Sequence, residues 1–428
     1  MKLALKAVFL MVLVALLGTA GCGLVAPAGA AQAMSDKPRD PHPASGPEDV
    51  GALSAGNAAF AFDLYQTLKD EDGNLFISPY SISVALAMTR AGAAGETAAQ
   101  MDQALHFALP PEVLHAAFNA YALDLQARAE AESEGTPFEL SIANSLWGQK
   151  DFPFRPEFLD VLATNYGAGM RLVDYAADPE GARQTINGWV SDETRKKIQD
   201  LIPEGAIDSM TRLVLANAIY FKAGWLHPFE ADATSPQDFH RLDGSTVEVP
   251  MMHQEESLGY AAGEGVQALE LPYVSGDMSM LILLPDEGRF EAFQDGLSAP
   301  TLEAVLSGLS YRPVVLSLPR FSYTSAFSLV DALKELGMAD AFDPDRADFS
   351  GMDGARDLFI SDVLHKAFVA VDEKGTEAAA ATAVIVEVTS APIDQPVAVT
   401  IDRPFVYLIR DTRTGSILFL GRVQDPSL

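Results

Sequence analysis

The chain is predicted to fold as one large α+β domain behind a secretory leader, on three observations. Of its 428 residues 48% are hydrophobic, enough for a large packed core. Segments with helical spacing come mostly first and strand-favouring segments mostly later, an order that belongs to α+β folds rich in antiparallel sheet. After Gly51 no linker and no internal repeat interrupts the chain, so 51–428 is read as a single domain.

The leader comes first. Lys2 and Lys6 flank the start of an apolar run from Ala7 to Leu17, followed by Gly18-Thr19-Ala20-Gly21-Cys22. A basic start, about ten apolar residues and then small residues describe a signal peptide over 1–21. The run is too short for a spanning helix, which needs about twenty residues. Cys22, the single cysteine, follows Ala20-Gly21 and resembles a bacterial lipoprotein processing site, with Thr19 as a departure. The expected location is therefore extracytoplasmic, lipid-anchored at Cys22 to the bacterial envelope. Secretion with cleavage after Ala30 or Ala33 is the alternative. Residues 22–50 are Ala, Pro, Gly, Ser and scattered charges, and read as a flexible tether.

Within the domain, Asn57 to Leu68 has helical spacing. A second helix is expected at Ser78-Pro79, with Ser78 as N-cap and Pro79 in the first turn, where its missing N–H costs nothing. Ile82, Ala85, Leu86 and Thr89 form its apolar face and Gly92 ends it. Helical patterns continue over Ala98–Leu105, Glu112–Arg128 and Pro156–Tyr166. Strand character marks Leu213–Phe221, Val266–Leu271, Met278–Leu284 and Val314–Leu318. Phe405–Ile409 and Ile417–Val423 flank Asp411-Thr412-Arg413-Thr414-Gly415, a closing hairpin.

Composition excludes several functions. Lys+Arg 29 against Asp+Glu 59 gives a formal charge of −30, which disfavours nucleic acid and polyanionic surfaces. One cysteine rules out a disulfide framework and multi-thiolate metal sites. No Gly-x-Ser-x-Gly elbow, His-Glu-x-x-His motif or Walker loop occurs, and the seven histidines include no helical metal pair. Ser78, Ser81 and His365 could assemble into a hydrolase site, but Ser78 is better explained as a cap and Ser81 as its hydrogen-bonded neighbour. No enzyme, metal or cofactor is expected.

The informative stretch is Glu373 to Asp402. Glu373-Lys374-Gly375-Thr376-Glu377 leads into Ala378-Ala379-Ala380-Ala381-Thr382-Ala383 and then Val384-Ile385-Val386-Glu387-Val388-Thr389-Ser390-Ala391. An Ala-rich helix is a poor reading, because Val384–Val388 favours strand and Gly375 disfavours helix. At period two the segment is coherent. Thr376, Ala378, Ala380, Thr382, Val384, Val386 and Val388 share an uncharged face, opposite Glu377 and Glu387. Pro- and Ala-rich sequence follows, so the segment is written as a loop in one state and a strand in another.

Here the chain resembles the serpins, the serine-protease inhibitor family, over Asn57 to Pro426. The resemblance rests on motifs in family order: Asn74-Leu75-Phe76-Ile77-Ser78-Pro79-Tyr80-Ser81-Ile82, Leu215-Ala216-Asn217-Ala218-Ile219-Tyr220-Phe221-Lys222-Ala223-Gly224-Trp225, Val249-Pro250-Met251-Met252, His365-Lys366-Ala367, Glu373-Lys374-Gly375-Thr376-Glu377 and Asp402-Arg403-Pro404-Phe405. It implies a main antiparallel-rich sheet, further sheets, a bundle of helices and an exposed reactive loop over about 373–400. A protease cuts that loop, is held as an acyl-enzyme, and is trapped when the loop inserts into the main sheet. The hinge Glu373, Gly375, Thr376, Glu377, Ala378, Ala379, Ala380, Ala381 and Thr382 has the small residues that fast insertion needs, whereas non-inhibitory members usually carry proline or bulk there. Ser78, Ser81, Asn217 and His365 match a polar cluster beneath the opening sheet. Trp225, Arg320 and Glu373 match the point where insertion starts.

The family's spacing from Glu373 places the reactive bond at Thr389–Ser390, with Val388–Thr389 and Ile393–Asp394 as fallbacks. From Gly375 to Asp402 there is no Lys, Arg, Phe, Tyr, Trp, Leu or Met, so trypsin-like and chymotrypsin-like pockets find no partner. The expected target is an elastase-like or subtilisin-like serine protease. A cysteine protease, or a non-inhibitory binding role, is the alternative. Thr97–Asn119, comparable to the heparin-binding helix of relatives, has no Lys or Arg, so no glycosaminoglycan cofactor is expected. The protein is expected to act as a monomer.

Overall fold

The computed structural model describes residues 30–131, 139–274, 276–376 and 395–428. In chain order the strands and larger helices are β1 (Ala31–Ala33), α1 (Pro47–Leu68), β2 (Leu75–Ile77), α2 (Pro79–Arg90), α3 (Gly95–Ala104), α4 (Pro111–Ala131), β3 (Glu139–Gln149), α5 (Pro156–Tyr166), β4 (Met170–Val173), α6 (Pro179–Glu193) and β5 (Leu213–Gly224). There follow β6 (Ser235–His240), β7 (Thr246–Gly263), β8 (Val266–Pro272), β9 (Met278–Pro285), β10 (Ser310–Pro319), β11 (Phe321–Ser328), β12 (Asp362–Asp372), β13 (Gly375–Thr376), β14 (Val397–Thr400), β15 (Phe405–Asp411) and β16 (Ile417–Val423).

These strands make two sheets. The main sheet has seven strands in the order β1-β4-β3-β5-β13-β12-β11, and β5 also pairs directly with β12. The second has the order β14-β10-β7-β8-β9-β15-β16-β2, with β6 on β7. Proline opens four of the helices that matter most, α1, α2, α5 and α6, at a position where no helical N–H is lost. The Ser78 hydroxyl caps α2 by accepting the Ser81 N–H at 3.2 Å. One apolar cluster lies between the sheets, with Ile219, Phe221, Trp225, Tyr273, Tyr407 and Phe419 fully buried or nearly so. Another lies under α6, whose Ile186 and Val190 cover Val214, Ala216 and Ala218 of β5. β5 is therefore buried on both faces, which explains its unbroken apolar sequence.

The mixed α+β architecture and the closing hairpin agree with the sequence reading. The tether does not extend to residue 50. α1 starts at Pro47, and Ala31–Ala33 adds an antiparallel edge strand to β4. The Lys37 ammonium lies 2.8 Å from Asp160 and the Arg39 Nε donates to Asn119 at 2.7 Å. The Asp40 N–H donates to the Thr164 carbonyl of α5. Backbone pairing and polar contacts hold this segment to the body, so no hydrophobic period betrays it.

Candidate functional site

The site is built where β5 and β12 meet. Along Val214–Tyr220 and Asp362–Phe368 the two strands pair in parallel, with Asn217 opposite His365. Beyond them, Gly375–Thr376 is wedged between the strands: Gly375 pairs with Gly224 and Asp372, Thr376 with Ala223 and Val371. The start of the hinge is thus already a short piece of strand in the main sheet. Gly375 is required there, because a Cβ on it would lie 2.1 Å from the Ala223 carbonyl oxygen.

The structure gathers the hinge residues into one network. The Arg320 guanidinium pairs with the Glu373 carboxylate, and the Thr234 hydroxyl donates to the same oxygen at 2.7 Å. Burial pushes the Glu373 carboxyl up, and the hydrogen bonds from Arg320 and Thr234 outweigh it and hold the group below the usual carboxylate range. Trp225 is buried and its indole N–H donates to the Asp372 carbonyl at 3.0 Å. The Trp225 and Phe229 N–H groups donate to the Lys374 and Glu373 carbonyls at 2.9 and 2.8 Å. Trp225, Arg320 and Glu373, which the resemblance groups together, lie together here. Phe229 and Thr234 were not singled out, because nothing local marks a backbone donor or a lone Thr.

About seven residues down the strands lies the polar cluster. Ser78, Ser81, Asn217 and His365 are all fully buried. The Ser78 N–H donates to His365 Nε2 at 3.2 Å, so the proton of the neutral ring sits on Nδ1 and goes to the Asn217 carbonyl oxygen. Asn217 Nδ2 donates to the Ser81 hydroxyl at 2.8 Å and to Asn144 Oδ1, and the Ser78 hydroxyl donates to the Leu418 carbonyl at 2.7 Å. Burial pushes the His365 imidazole down to about 3, which keeps it neutral. The cluster ties β12 through β5 to α2 and β3. Asn144, opposite Asn217 on β3, is a member that sequence reasoning missed.

Ser78 and Ser81 do not form a nucleophile–base pair with His365. Ser78 meets the imidazole through its backbone N–H, and its hydroxyl is turned to Leu418. The expected reactive bond Thr389–Ser390, the hinge residues Glu377, Ala378, Ala379, Ala380, Ala381 and Thr382, and Cys22 lie outside the described residues.

A main sheet with the two-residue strand Gly375–Thr376 wedged between two central strands defines a class of protein, and comparison with known families agrees. The family model of serpins (serine protease inhibitors) matches residues 55–426. The leukocyte elastase inhibitor of Bos taurus is 43% identical over 388 residues, covering 87% of this chain and 99% of its own. An uncharacterized serpin-like protein of Thermococcus kodakarensis is 40% identical over 370 residues, covering 86% of this chain and 84% of its own. The crystal structure of the thermophilic serpin tengpin in its native state superposes with a TM-score of 0.82 at 31% identity, covering 93% of this chain and all of that one. The chain belongs to the serpin family.

Proposed function

We propose that this serpin is an irreversible suicide-substrate inhibitor of elastase-like or subtilisin-like serine endopeptidases, cut at Thr389–Ser390, and not an enzyme. The observation that carries the reading is the pre-set register of the hinge. Continuing the pairing of Thr376 with Ala223 and Val371 one residue at a time lays the loop between β5 and β12 as a new antiparallel strand. Ala378 and Ala380 then come level with Phe221 and Ile219 on the core side. Ala379, Ala381 and Ala383 come level with Tyr220, Ala218 and Ala216, of which Ala218 and Ala216 lie beneath α6, where larger side chains would collide.

Thr382 falls level with Asn217 and His365. Those two side chains bond each other across the seam, and parting the strands breaks that bond. Thr382 is the one hydroxyl among the core-facing residues 378–386 and can accept from His365 and donate to Asn217. The register reaches the far end of β5, Leu213, at residue 386, so a cut at Thr389–Ser390 frees enough chain. Insertion replaces the single β5–β12 ladder by two. A net gain of about a dozen hydrogen bonds at ~1 kcal/mol each gives a drive on the order of 10 kcal/mol. Serpin loop insertion is an established case of strand addition, and this geometry suits it.

The acyl-enzyme forms when the protease serine attacks the Thr389 carbonyl carbon and the Ser390 amine leaves. Insertion then competes with hydrolysis of that ester. Incubation with elastase, subtilisin, trypsin and chymotrypsin, followed by denaturing electrophoresis, tests the reading. A covalent complex with the first two, releasing a peptide that begins at Ser390, is expected. Cleavage without complex overturns it.

For location, we propose that Cys22 carries a lipid anchor. Seven residues lie between it and Ala30, and the eight steps of chain reach about 26 Å when extended. Through β4 and β3, Ala33 lies level with Leu215, nine residues along β5 from the hinge partner Gly224. That is about 30 Å at ~3.3 Å per residue, so the anchor is expected to hold the protein by the pole opposite the hinge.

A further inference from the structure

We infer that Tyr273 is a positioning residue that pins the hinge in the main sheet before any protease arrives. The inference deepens the inhibitory reading and rests on it. Tyr273 follows β8 in the second sheet and reaches the hinge from there, rather than from within either strand that must part. Its hydroxyl and the Thr376 hydroxyl share a buried hydrogen bond of 2.7 Å. Both residues are 1% exposed, so neither hydroxyl has water to turn to.

The ring is held on two sides. It stacks on Trp225, with centroids 4.7 Å apart and planes 8° apart, and meets Phe221 edge-on at 5.2 Å. The Tyr273 N–H donates to the Met278 carbonyl, closing the β8–β9 turn. A rigid ring with a buried hydroxyl therefore specifies one position for one side chain of the hinge. Register matters because a slip of one residue would turn every loop side chain to the other face. It would place Glu377 in the core and carry Thr382 away from Asn217 and His365. A pin on Thr376 removes that choice before insertion begins. The bond is compatible with the inserted state as well, since Thr376 already occupies its final register, so nothing must be broken as the strand extends.

The test has two readouts. The first is amide hydrogen exchange of the peptide spanning 372–378 in the uncleaved protein, which needs no protease. The second is the moles of inhibitor consumed per mole of elastase trapped. Tyr273→Phe keeps the stacked ring and removes the hydroxyl, and Thr376→Val keeps the shape of Thr. Each is expected to lower protection of the hinge amides about tenfold and to raise inhibitor consumption at least about threefold. The double variant is expected to match the single ones, because both remove the same bond, and Thr376→Ser to restore wild-type values. Unchanged exchange in Tyr273→Phe and Thr376→Val, or effects that multiply in the double variant, would overturn the pin. Lost protection with unchanged inhibitor consumption would overturn its role in insertion. If wild type traps no protease at all, the inhibitory reading fails, and the exchange data still decide whether Tyr273 holds the hinge.

Discussion

Replacing Thr382 by Val probes the proposed opening of the sheet. Asn217 and His365 are both fully buried and bond each other across the seam. When the strands part, the carbonyl oxygen of Asn217 and the Nδ1–H of His365 both lose their partner. The Thr382 hydroxyl can satisfy the two together. Val, of nearly the same shape, can satisfy neither. A buried polar group left unpaired costs about 1–3 kcal/mol, so the inserted state of Thr382→Val is expected to lose about 2–6 kcal/mol. Against a drive on the order of 10 kcal/mol insertion remains downhill, but it slows. If half the loss is felt in the transition state, the rate falls by a factor of about 5 to 150. Hydrolysis of the acyl-enzyme then gains, and more inhibitor is cleaved per protease trapped. The assay is that ratio against elastase, together with thermal unfolding of the cleaved protein. Thr382→Ser is expected to behave as wild type in both. A Val variant with unchanged ratio and unchanged cleaved-state stability would show that Thr382 does not serve the Asn217–His365 pair.

Three further outcomes are expected. Thr389→Arg should shift inhibition toward trypsin, because it supplies a cation for a buried pocket carboxylate; trypsin cutting elsewhere with no complex would show the bond is misassigned. His365 is neutral in the fold down to about pH 3, while its ordinary value is 6.5. Between those values only the unfolded chain takes up the proton, so this contribution is complete above pH 6.5 and is lost as pH falls below it, at up to about 1.4 kcal/mol per pH unit. Denaturant unfolding of His365→Gln should show a shallower fall between pH 6 and 4.5 than wild type, and equal slopes would contradict the assignment. Finally, wild type expressed in a bacterium should partition with membranes and Cys22→Ser with the soluble fraction; identical partitioning would defeat the anchor.

Much of the fold was legible because its signals are local. Ser78-Pro79 and Pro156 set helix starts by capping and by the missing proline N–H, and α5 spans the residues expected from its spacing. Of the alternating stretch 376–388 only Thr376 lies among the described residues, as part of β13. Other features are carried by distant partners and leave no such trace. Tyr273 meets Thr376 across 103 residues of chain, and Asn144 meets Ser81 across 63. A single Tyr beside a strand or Asn within one reads as ordinary sheet composition until its partner is seen. Residues 30–46 were misjudged for a different reason. Ala31–Ala33 pairs through its backbone with only the small side chain of Ala33 against the core, and Lys37 and Arg39 hold by charge and hydrogen bonds, so the segment has the composition of a tether and the contacts of a fold.

The structure of the protein after cleavage of its loop decides whether the loop inserts. Residues 375–386 are expected to form a strand between β5 and β12, in the register begun by Gly375 and Thr376, with the Thr382 hydroxyl between Asn217 and His365. A cleaved protein in which β5 and β12 still pair directly, or in which the loop enters one residue out of that register, would contradict it.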